Sequence, residues 1–430
     1  MTLPLREPGS PLQIADFRLF WLARFSAVTA TVGMVVVIGW QVYDIARSDY
    51  GMSQARAYFQ LGILGFLQFV PLLLLTPVAG WAADRFDRRY LAAFSNSLDL
   101  TVAIALGFAT YHDALNLPLL FVLAALHGSA RVFIGPSMSA IAPNIVPPAL
   151  LPRAVAMSGI AWQMAAVIGP AAGGLLFALS PSSPYWAASG LLVLSAVSVL
   201  AIGRMPKVQM REAHPFRQMV EGGAFVWRER FLLGCITLDL FAVLLGGATA
   251  LLPVFARDIL QVGPEGLGQM RAATALGAAA VALAFAIRPM SDNVGMKMLA
   301  AVIVFGAATI AFAVSRNFAF SMLMLAVLGA ADMVSVFVRS TLIQLNTPDD
   351  MRGRVSSISG LAVSASNELG EMQSGIAASL LTATGAVVFG GAGAIIVTVV
   401  WAFAFPELRR ARTFAPQYRH EQKPAKEPEP

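Results

Sequence analysis

Cysteine is almost missing from this chain: Cys235 stands alone among 430 residues. A single thiol excludes an intrachain disulfide and a cysteine metal cluster. Four histidines are scattered without metal-ligand spacing, so no metal site is expected. There is no Walker phosphate loop, which argues against an ATP-driven pump, and no nucleophile–base set, which argues against an enzyme. Charge is thin as well. Asp, Glu, Lys and Arg make up 13% of the chain, against about a quarter in a soluble domain. The first sixteen residues are mixed polar and the apolar run after them is full length, so no cleavable signal peptide is expected.

What the chain has is apolar length. It is 57% hydrophobic with a mean hydropathy of +0.70. Runs of about 20 apolar residues, each long enough to cross a bilayer, fall at 17–43, 56–82, 90–110, 117–142, 153–179, 185–203, 231–256, 267–287, 297–315, 319–345, 355–382 and 385–405. Pro, Gly and short polar clusters separate them. The reading is an all-α membrane protein of twelve transmembrane helices. The longest loop divides them six and six. The organisation is then a segment 1–16, a six-helix bundle 17–203, a linker 204–230, a second six-helix bundle 231–406 and a tail 407–430. The tail is rich in Pro, Lys and Glu and is expected to be disordered. Within the linker, Phe216–Trp227 is amphipathic and is expected at the membrane interface.

Basic residues give the orientation. With the N-terminus inside, 22 Lys and Arg fall on inner segments and five outside, namely Arg47, Arg56, Arg257, Arg271 and Arg316; Arg24, Arg131 and Arg339 lie within spans. Both termini are therefore expected in the cytoplasm, in a multi-pass protein of the inner (cytoplasmic) membrane. Basic loops facing anionic lipid account for the net charge of +6 without nucleic acid.

One stretch stands out, Ser366-Asn367-Glu368-Leu369-Gly370-Glu371-Met372-Gln373-Ser374-Gly375, inside the apolar run 355–382. A charge near the bilayer centre costs roughly 2.5–3.5 kcal/mol. Glu368 and Glu371, three apart, share a helix face that Ser364 and Gly375 extend. Such a face must line a cavity or pack on protein. Burial and a second nearby carboxylate both favour a protonated acid, and a group that is neutral in the membrane and charged toward water suits proton coupling. Glu371, Glu368, Asp239 and Asp332 are the proton-coupling candidates. The plainer alternative is a set of structural hydrogen-bond acceptors and static ion pairs.

The halves repeat. Gly80-Trp81-Ala82-Ala83-Asp84-Arg85-Phe86-Asp87-Arg88-Arg89 after span 2 is echoed by Arg288–Lys297 after span 8. An offset of 201 carries Arg153 onto Arg354, Gly169 onto Gly370, Gly174 onto Gly375 and Arg131 onto Asp332; Glu371 falls where Pro170 stands. An offset of about 215 carries Arg24 onto Asp239 and Asp44 nearly onto Asp258. Small residues let helices approach closely, so Gly169-Pro170-Ala171-Ala172-Gly173-Gly174 reads as a packing element with a kink. Arg131, Arg24, Trp40, Gln41, Trp162 and Phe241 are candidates for lining a central cavity, the aromatics because an amphiphilic substrate needs them. Arg24 snorkelling to the surface and an intrahelical Asp332–Arg339 arrangement compete. Asp99 could pair with the Arg85–Arg89 loop, and His127 reads as a packed hydrogen-bonding residue. Tyr185 and Trp186 fit an interfacial aromatic belt.

On these motifs the chain resembles the major facilitator superfamily over residues 14–406. Gly80–Arg89 is similar to its signature loop, Gly-x-x-x-Asp-Arg-x-Gly-Arg-Arg, with Asp87 at the usual glycine. Gly169, Pro170, Gly173 and Gly174 resemble the antiporter motif of span 5, with Ala165 at an earlier glycine. Trp40–Asp44, Pro348–Val355 and Ser366–Gly375 resemble the drug:proton antiporter branch that includes the enterobactin exporter and macrolide efflux proteins. The resemblance implies the major facilitator fold, with two pseudo-symmetric bundles and spans 1, 4, 7 and 10 around a central cavity. It also implies a conformational lock in which Gly80, Asp84, Arg85, Arg88 and Arg89 work with the start of span 11. The expected function is a secondary active exporter of hydrophobic or amphiphilic small molecules, a monomer needing no cofactor beyond the proton gradient. Siderophore or other metabolite export and lysophospholipid transport are alternatives, as is a non-transporting sensor or scaffold.

Overall fold

The structure, a computed structural model, describes residues 10–139, 141–203, 215–288 and 290–415. Among these it is helical, with no strand. Ten helices long enough to cross a membrane come first: α1 (Ala15–Ser48), α2 (Gln54–Arg85), α3 (Arg88–Tyr111), α4 (Leu117–Ser139), α5 (Leu151–Leu179), α6 (Ser183–Leu200), α7 (Arg230–Gly246), α8 (Gly263–Ile287), α9 (Val294–Val314) and α10 (Phe318–Asn346). The eleventh, Arg352–Ala404, has 53 residues, roughly 80 Å of helix, far more than the ~30 Å hydrocarbon core. It breaks at Thr382, where φ is 70°. The two pieces, α11 (352–381) and α12 (383–404), complete twelve crossings, and the first and last described residues lie on one face, here the terminal face.

Span 7 is not the single helix 231–256 that its apolar run predicts. α7 stops at Gly246, and the chain continues through Ala248–Leu251, Leu252–Val254 and a π-turn at Phe255–Ile259. At the interruption the backbone packs closely on α11: a Cβ on Gly247 would stand 2.8 Å from the Gly370 carbonyl oxygen. Irregular backbone at membrane depth is tolerated where it is buried in protein or lines a cavity, and here it does both.

Helices α1–α6 pack on one another, as do α7–α12; α2 against α11 and α5 against α8 join the two groups. The groups are joined unevenly. On the face opposite the termini, residues of both halves, such as Met34, Tyr58, Phe255 and Leu267, share one apolar core. Toward the terminal face the cores are separate, one around Phe17, Phe20 and Ile141 and one around Phe231, Met298 and Leu342. Polar contacts seal the opposite face. The Tyr43 hydroxyl donates to Asp258 (2.5 Å), Arg257 pairs with Asp44 (3.2 Å), and Arg257 also donates to Ser48 (2.8 Å). The molecule is thus closed on that face and parted on the terminal one.

Two expectations at the terminal face change. Residues 407–415 are not a disordered tail. Leu408 and Ala411 are buried, and the Ala411 and Arg412 carbonyls accept from the Gly295 and Val294 amides at the start of α9; residues 416–430 lie outside the described ones. The linker helix Pro215–Arg228, expected at a membrane interface, packs on the second half. Val226 joins the second half's core, and Glu221 pairs with Arg354 of α11 (3.3 Å), while Val220 and Trp227 stay exposed.

Candidate functional site: a charged central cavity

Where the parted halves meet the shared core lies a cavity of about 320 Å³. α1 contributes Thr31, α2 Gln68, α4 Arg131, α8 Arg271 and Thr274, α10 Asp332, and α11 Asn367, Glu368 and Glu371; the Gly246–Thr249 backbone closes one wall. The helical three-residue spacing puts Glu368 and Glu371 on the same inward face. Arg131 reaches across the halves to Glu368 (3.3 Å) and also donates to Gln68 (3.1 Å). Arg271 donates to the Thr249 carbonyl (3.2 Å), its Nε is buried without a partner, and it shares the cavity with Glu371, Glu368 and Arg131. No described side chain pairs with Asp332. The cavity therefore holds two guanidinium groups against three carboxylates. Arg131 also lines a second cavity of about 440 Å³ toward the terminal face, with Gly80, Arg354 and Ser364 on its walls.

Arg271 belongs to this site and not to an outer loop. It is the ninth residue of α8. Its place inside the apolar run 267–287 was the available signal, and without it four bases are left in the segments expected outside, which makes the expected asymmetry sharper. Gln68 and Thr31 carried no such signal, because uncharged polar residues in apolar helices are common.

Several other candidates sit elsewhere. Trp40 is buried in the shared core against Phe177. Gln41 accepts from the fully buried Tyr185 hydroxyl and donates to Thr110, so neither Gln41 nor Tyr185 meets the cavity or an interface. Trp162 lines a lateral groove, and Phe241 packs on Trp401 at the outer surface. Arg24 lies two turns nearer the terminal face than Thr31, and its Nε is buried without a partner. Asp239 is held by Arg339 in a buried ion pair within the second half, so Asp332 is not Arg339's partner. Asp99 meets His127 (2.6 Å) and Thr31 (3.1 Å), not the Arg85–Arg89 loop.

The signature loop is a compact turn. Asp87 has φ −60° and ψ 121°, which needs no glycine; it caps α3 through the Arg89 amide and pairs with the Arg89 side chain (2.7 Å). That side-chain hydrogen bond from Arg89 is the main reason the Asp87 carboxyl lies below the usual range. Arg89 also donates to the Ile202 carbonyl (2.6 Å), and Arg85 stacks over Trp81. Gly80 faces open space. Asp84 lies in the last turn of α2, and its side chain lies outside the described residues. Arg354, at the start of α11, is held by the linker's Glu221.

Glycine contacts repeat the sequence symmetry in space. Gly169 and Gly173 of α5 pack on Gly33 of α1 as Gly370 packs on the α7 region at Gly247, and the offset of 214 that joins Asp44 to Asp258 also joins Gly33 to Gly247. Gly174 meets Gly268 of α8 as Gly375 meets Gly62 of α2. The Gly169–Gly174 element thus packs within its half at one end and across the halves at the other. Pro170 and Glu371 occupy equivalent places, one packed in a helix interior and the other turned into the cavity.

Known proteins agree with this architecture. The Major Facilitator Superfamily model matches residues 20–371. The enterobactin exporter EntS of Escherichia coli O1:K1 / APEC is 23% identical over 402 residues, covering 93% of this chain and 94% of that protein, and EntS of Shigella boydii serotype 18 matches equally. Among solved structures, a D-xylose–proton symporter superposes with a TM-score of 0.72 at 12% identity, covering 92% of this chain and 98% of that one. An inward-facing, unoccupied bacterial homologue of the human lysosomal transporter Spinster gives 0.63 at 15% identity, covering 95% and 99%. The chain belongs to the major facilitator superfamily, whose members are membrane transporters.

Proposed function

We propose that the protein is a proton-coupled secondary exporter of hydrophobic or amphiphilic small molecules, working by alternating access in the inner membrane with both termini in the cytoplasm. The observation that carries this reading is the charge balance of the cavity, two guanidinium groups to three carboxylates. An excess charge in a low-dielectric site requires a counter-charge. A proton satisfies it in one state and a bound substrate or cation displaces the proton in another, which is the requirement of an antiporter. Glu371 is the preferred carrier, with Glu368 and Asp332 beside it; Asp239, already paired to Arg339, is the weakest of the four. The basic terminal face supports a cytoplasmic placement of both ends, so the parted halves correspond to a state open inward. Siderophore export is the second reading, favoured by the similarity to EntS along nearly the whole chain. A monomer suffices, since each chain holds a complete cavity.

Inside-out vesicles carrying wild type or Glu371→Gln, assayed with an amphiphilic dye panel, enterobactin and a pH-sensitive reporter, test the proposal. Wild type should move a compound and release protons, and the variant should bind it without coupling. Coupling that survives in the variant moves the role to Glu368 or Asp332. Transport by wild type with no proton movement would overturn the antiport reading.

A further inference from the structure

The first half holds a buried acid–base pair that the transport reading leaves unused. Asp99 of α3 and His127 of α4 are both buried, and the imidazole Nδ1 meets the carboxylate Oδ1 at 2.6 Å. An ionised carboxylate only accepts, so Nδ1 carries the hydrogen of that bond. The Thr31 hydroxyl of α1 donates to the other oxygen, Oδ2, at 3.1 Å. Thr31 also lines the charged cavity. One hydroxyl therefore separates a buried carboxylate from the cavity. His127 Nε2 is buried without a partner. A second ring hydrogen would find no acceptor there, so the ring serves as a donor through Nδ1 alone.

An ionised Asp99 beside such a ring is a single charge at membrane depth. The helices packed on α3 and α4 are α1, α2 and α6. α6 carries no charged residue, and α2 carries none between Arg56 and Asp84. On α1 the charges nearest Thr31 are Arg24, two turns toward the terminal face, and Asp44, over three turns the other way. On α4, Arg131 stands one turn beyond His127, where Glu368 and Gln68 hold it. The buried tyrosines of these helices are engaged elsewhere: Tyr43 with Asp258, Tyr58 stacked on Tyr43, and Tyr185 with Gln41. Among the described residues no guanidinium or ammonium pairs with Asp99. An uncompensated ion at this depth is costly, and a proton on the carboxyl removes that cost.

Taking up the proton requires one hydrogen bond to reverse. A hydroxyl both donates and accepts. With hydrogen on Oδ2, Asp99 donates to Thr31, and the Thr31 hydrogen turns into the cavity. The opposite rotation returns the proton. O–H bonds exchange one for one, and the bond from His127 to Oδ1 is untouched. We propose that Asp99 is a second proton-binding site, set behind the cavity wall, filled and emptied through the Thr31 hydroxyl and held in place by His127. Its use in antiport rests on the exporter reading above; the binding of the proton does not.

The test is infrared difference spectroscopy of the purified protein in lipid nanodiscs, between alkaline and acidic buffer. A protonated carboxyl gives a carbonyl band that shifts in heavy water. Wild type should show such a band, and Asp99→Asn should remove it. Thr31→Val keeps the side-chain shape and loses the hydroxyl. It should keep the band and slow its hydrogen exchange at least about tenfold, because breaking one hydrogen-bonded step raises a barrier by that order. His127→Gln should move the band's frequency by changing the donor to Oδ1. Should Asp99→Asn fail to fold, 13C-labelled aspartate separates aspartate from glutamate bands, and the exchange rate in Thr31→Val decides. The absence of an Asp99 band at every pH at which the protein stays folded would overturn the proposal, as would equal exchange rates in Thr31→Val and wild type. In inside-out vesicles Asp99→Asn should release one proton fewer for each substrate moved, and an unchanged count would remove Asp99 from the antiport cycle. The band in a protein that transports without proton movement would instead refute the antiport reading and leave the site standing.

Discussion

Gly174→Ala should open the face opposite the termini without weakening either half. A Cβ on Gly174 would run into the Pro264 carbonyl oxygen of α8 and lie 3.0 Å from the Gly268 Cα and N, across the boundary between the halves. Overpacking of this kind costs typically 1–3 kcal/mol. That cost exists only while α5 and α8 touch there, so it falls on the state described and not on one in which the face has opened. The equilibrium should shift by roughly 5–150-fold. Gly169→Ala is the control: its Cβ would meet the Thr29 carbonyl oxygen (2.7 Å) inside the first half, a contact that survives rigid rotation of the halves. It should lower thermal stability and leave the equilibrium in place. Helix propensity gains up to ~1 kcal/mol in both variants and both states, so it cancels from the comparison. The assay is labelling of Ala378→Cys, buried in the shared core, by a membrane-impermeant thiol reagent from the opposite face. The lone native cysteine is buried and gives no background. Equal labelling rates in Gly174→Ala and its parent, or an equal gain in Gly169→Ala, would refute the reasoning.

Three further outcomes follow from the structure. Arg339→Ala leaves Asp239 buried without its partner, which costs about 3–5 kcal/mol and should sharply reduce folded yield; the double change Asp239→Asn with Arg339→Met should recover most of it in a thermal unfolding assay. Asp87→Ala removes the α3 cap at a cost of about 1 kcal/mol. Because the folded-state pKa of Asp87 is lowered, chiefly by the Arg89 hydrogen bond, its contribution is present above the unfolded value of about 3.9 and is lost as pH falls through the folded one, so the gap between wild type and variant in detergent should close below about pH 4. Thr382→Gly relieves a β-branched residue held at φ 70°; strain of that kind costs 1–3 kcal/mol against at most ~1 kcal/mol of added chain entropy, so the midpoint of unfolding should rise.

The spans and their division six and six were legible because twenty-residue apolar runs have one stable outcome in a bilayer. The inward face of Glu368 and Glu371 was legible for a related reason: neither lipid nor a dry interface accepts two carboxylates one turn apart, so that face had to meet a cavity. The cavity aromatics were not legible. Trp40, Trp162 and Phe241 occur in helices as apolar as their neighbours, and nothing local distinguishes a ring that faces substrate from one that faces core or lipid. Gln41 failed for another reason, since its partners Tyr185 and Thr110 lie 144 and 69 residues away.

Sequence alone determined the class, the twelve crossings and the residues too polar for lipid, because the energy of a group in hydrocarbon depends on the group and hardly on its neighbours. It also carried the repeat, since equivalent glycines hold equivalent offsets. Only the tertiary structure decided which charges meet. Arg131 finds Glu368, Asp239 finds Arg339, and Asp332 is left unpaired, because pairing depends on helix rotation and on contacts between residues up to 237 apart. The face on which the halves close is likewise a tertiary property. It follows from which glycine-lined crossings are engaged, and a chain built to alternate encodes more than one such set.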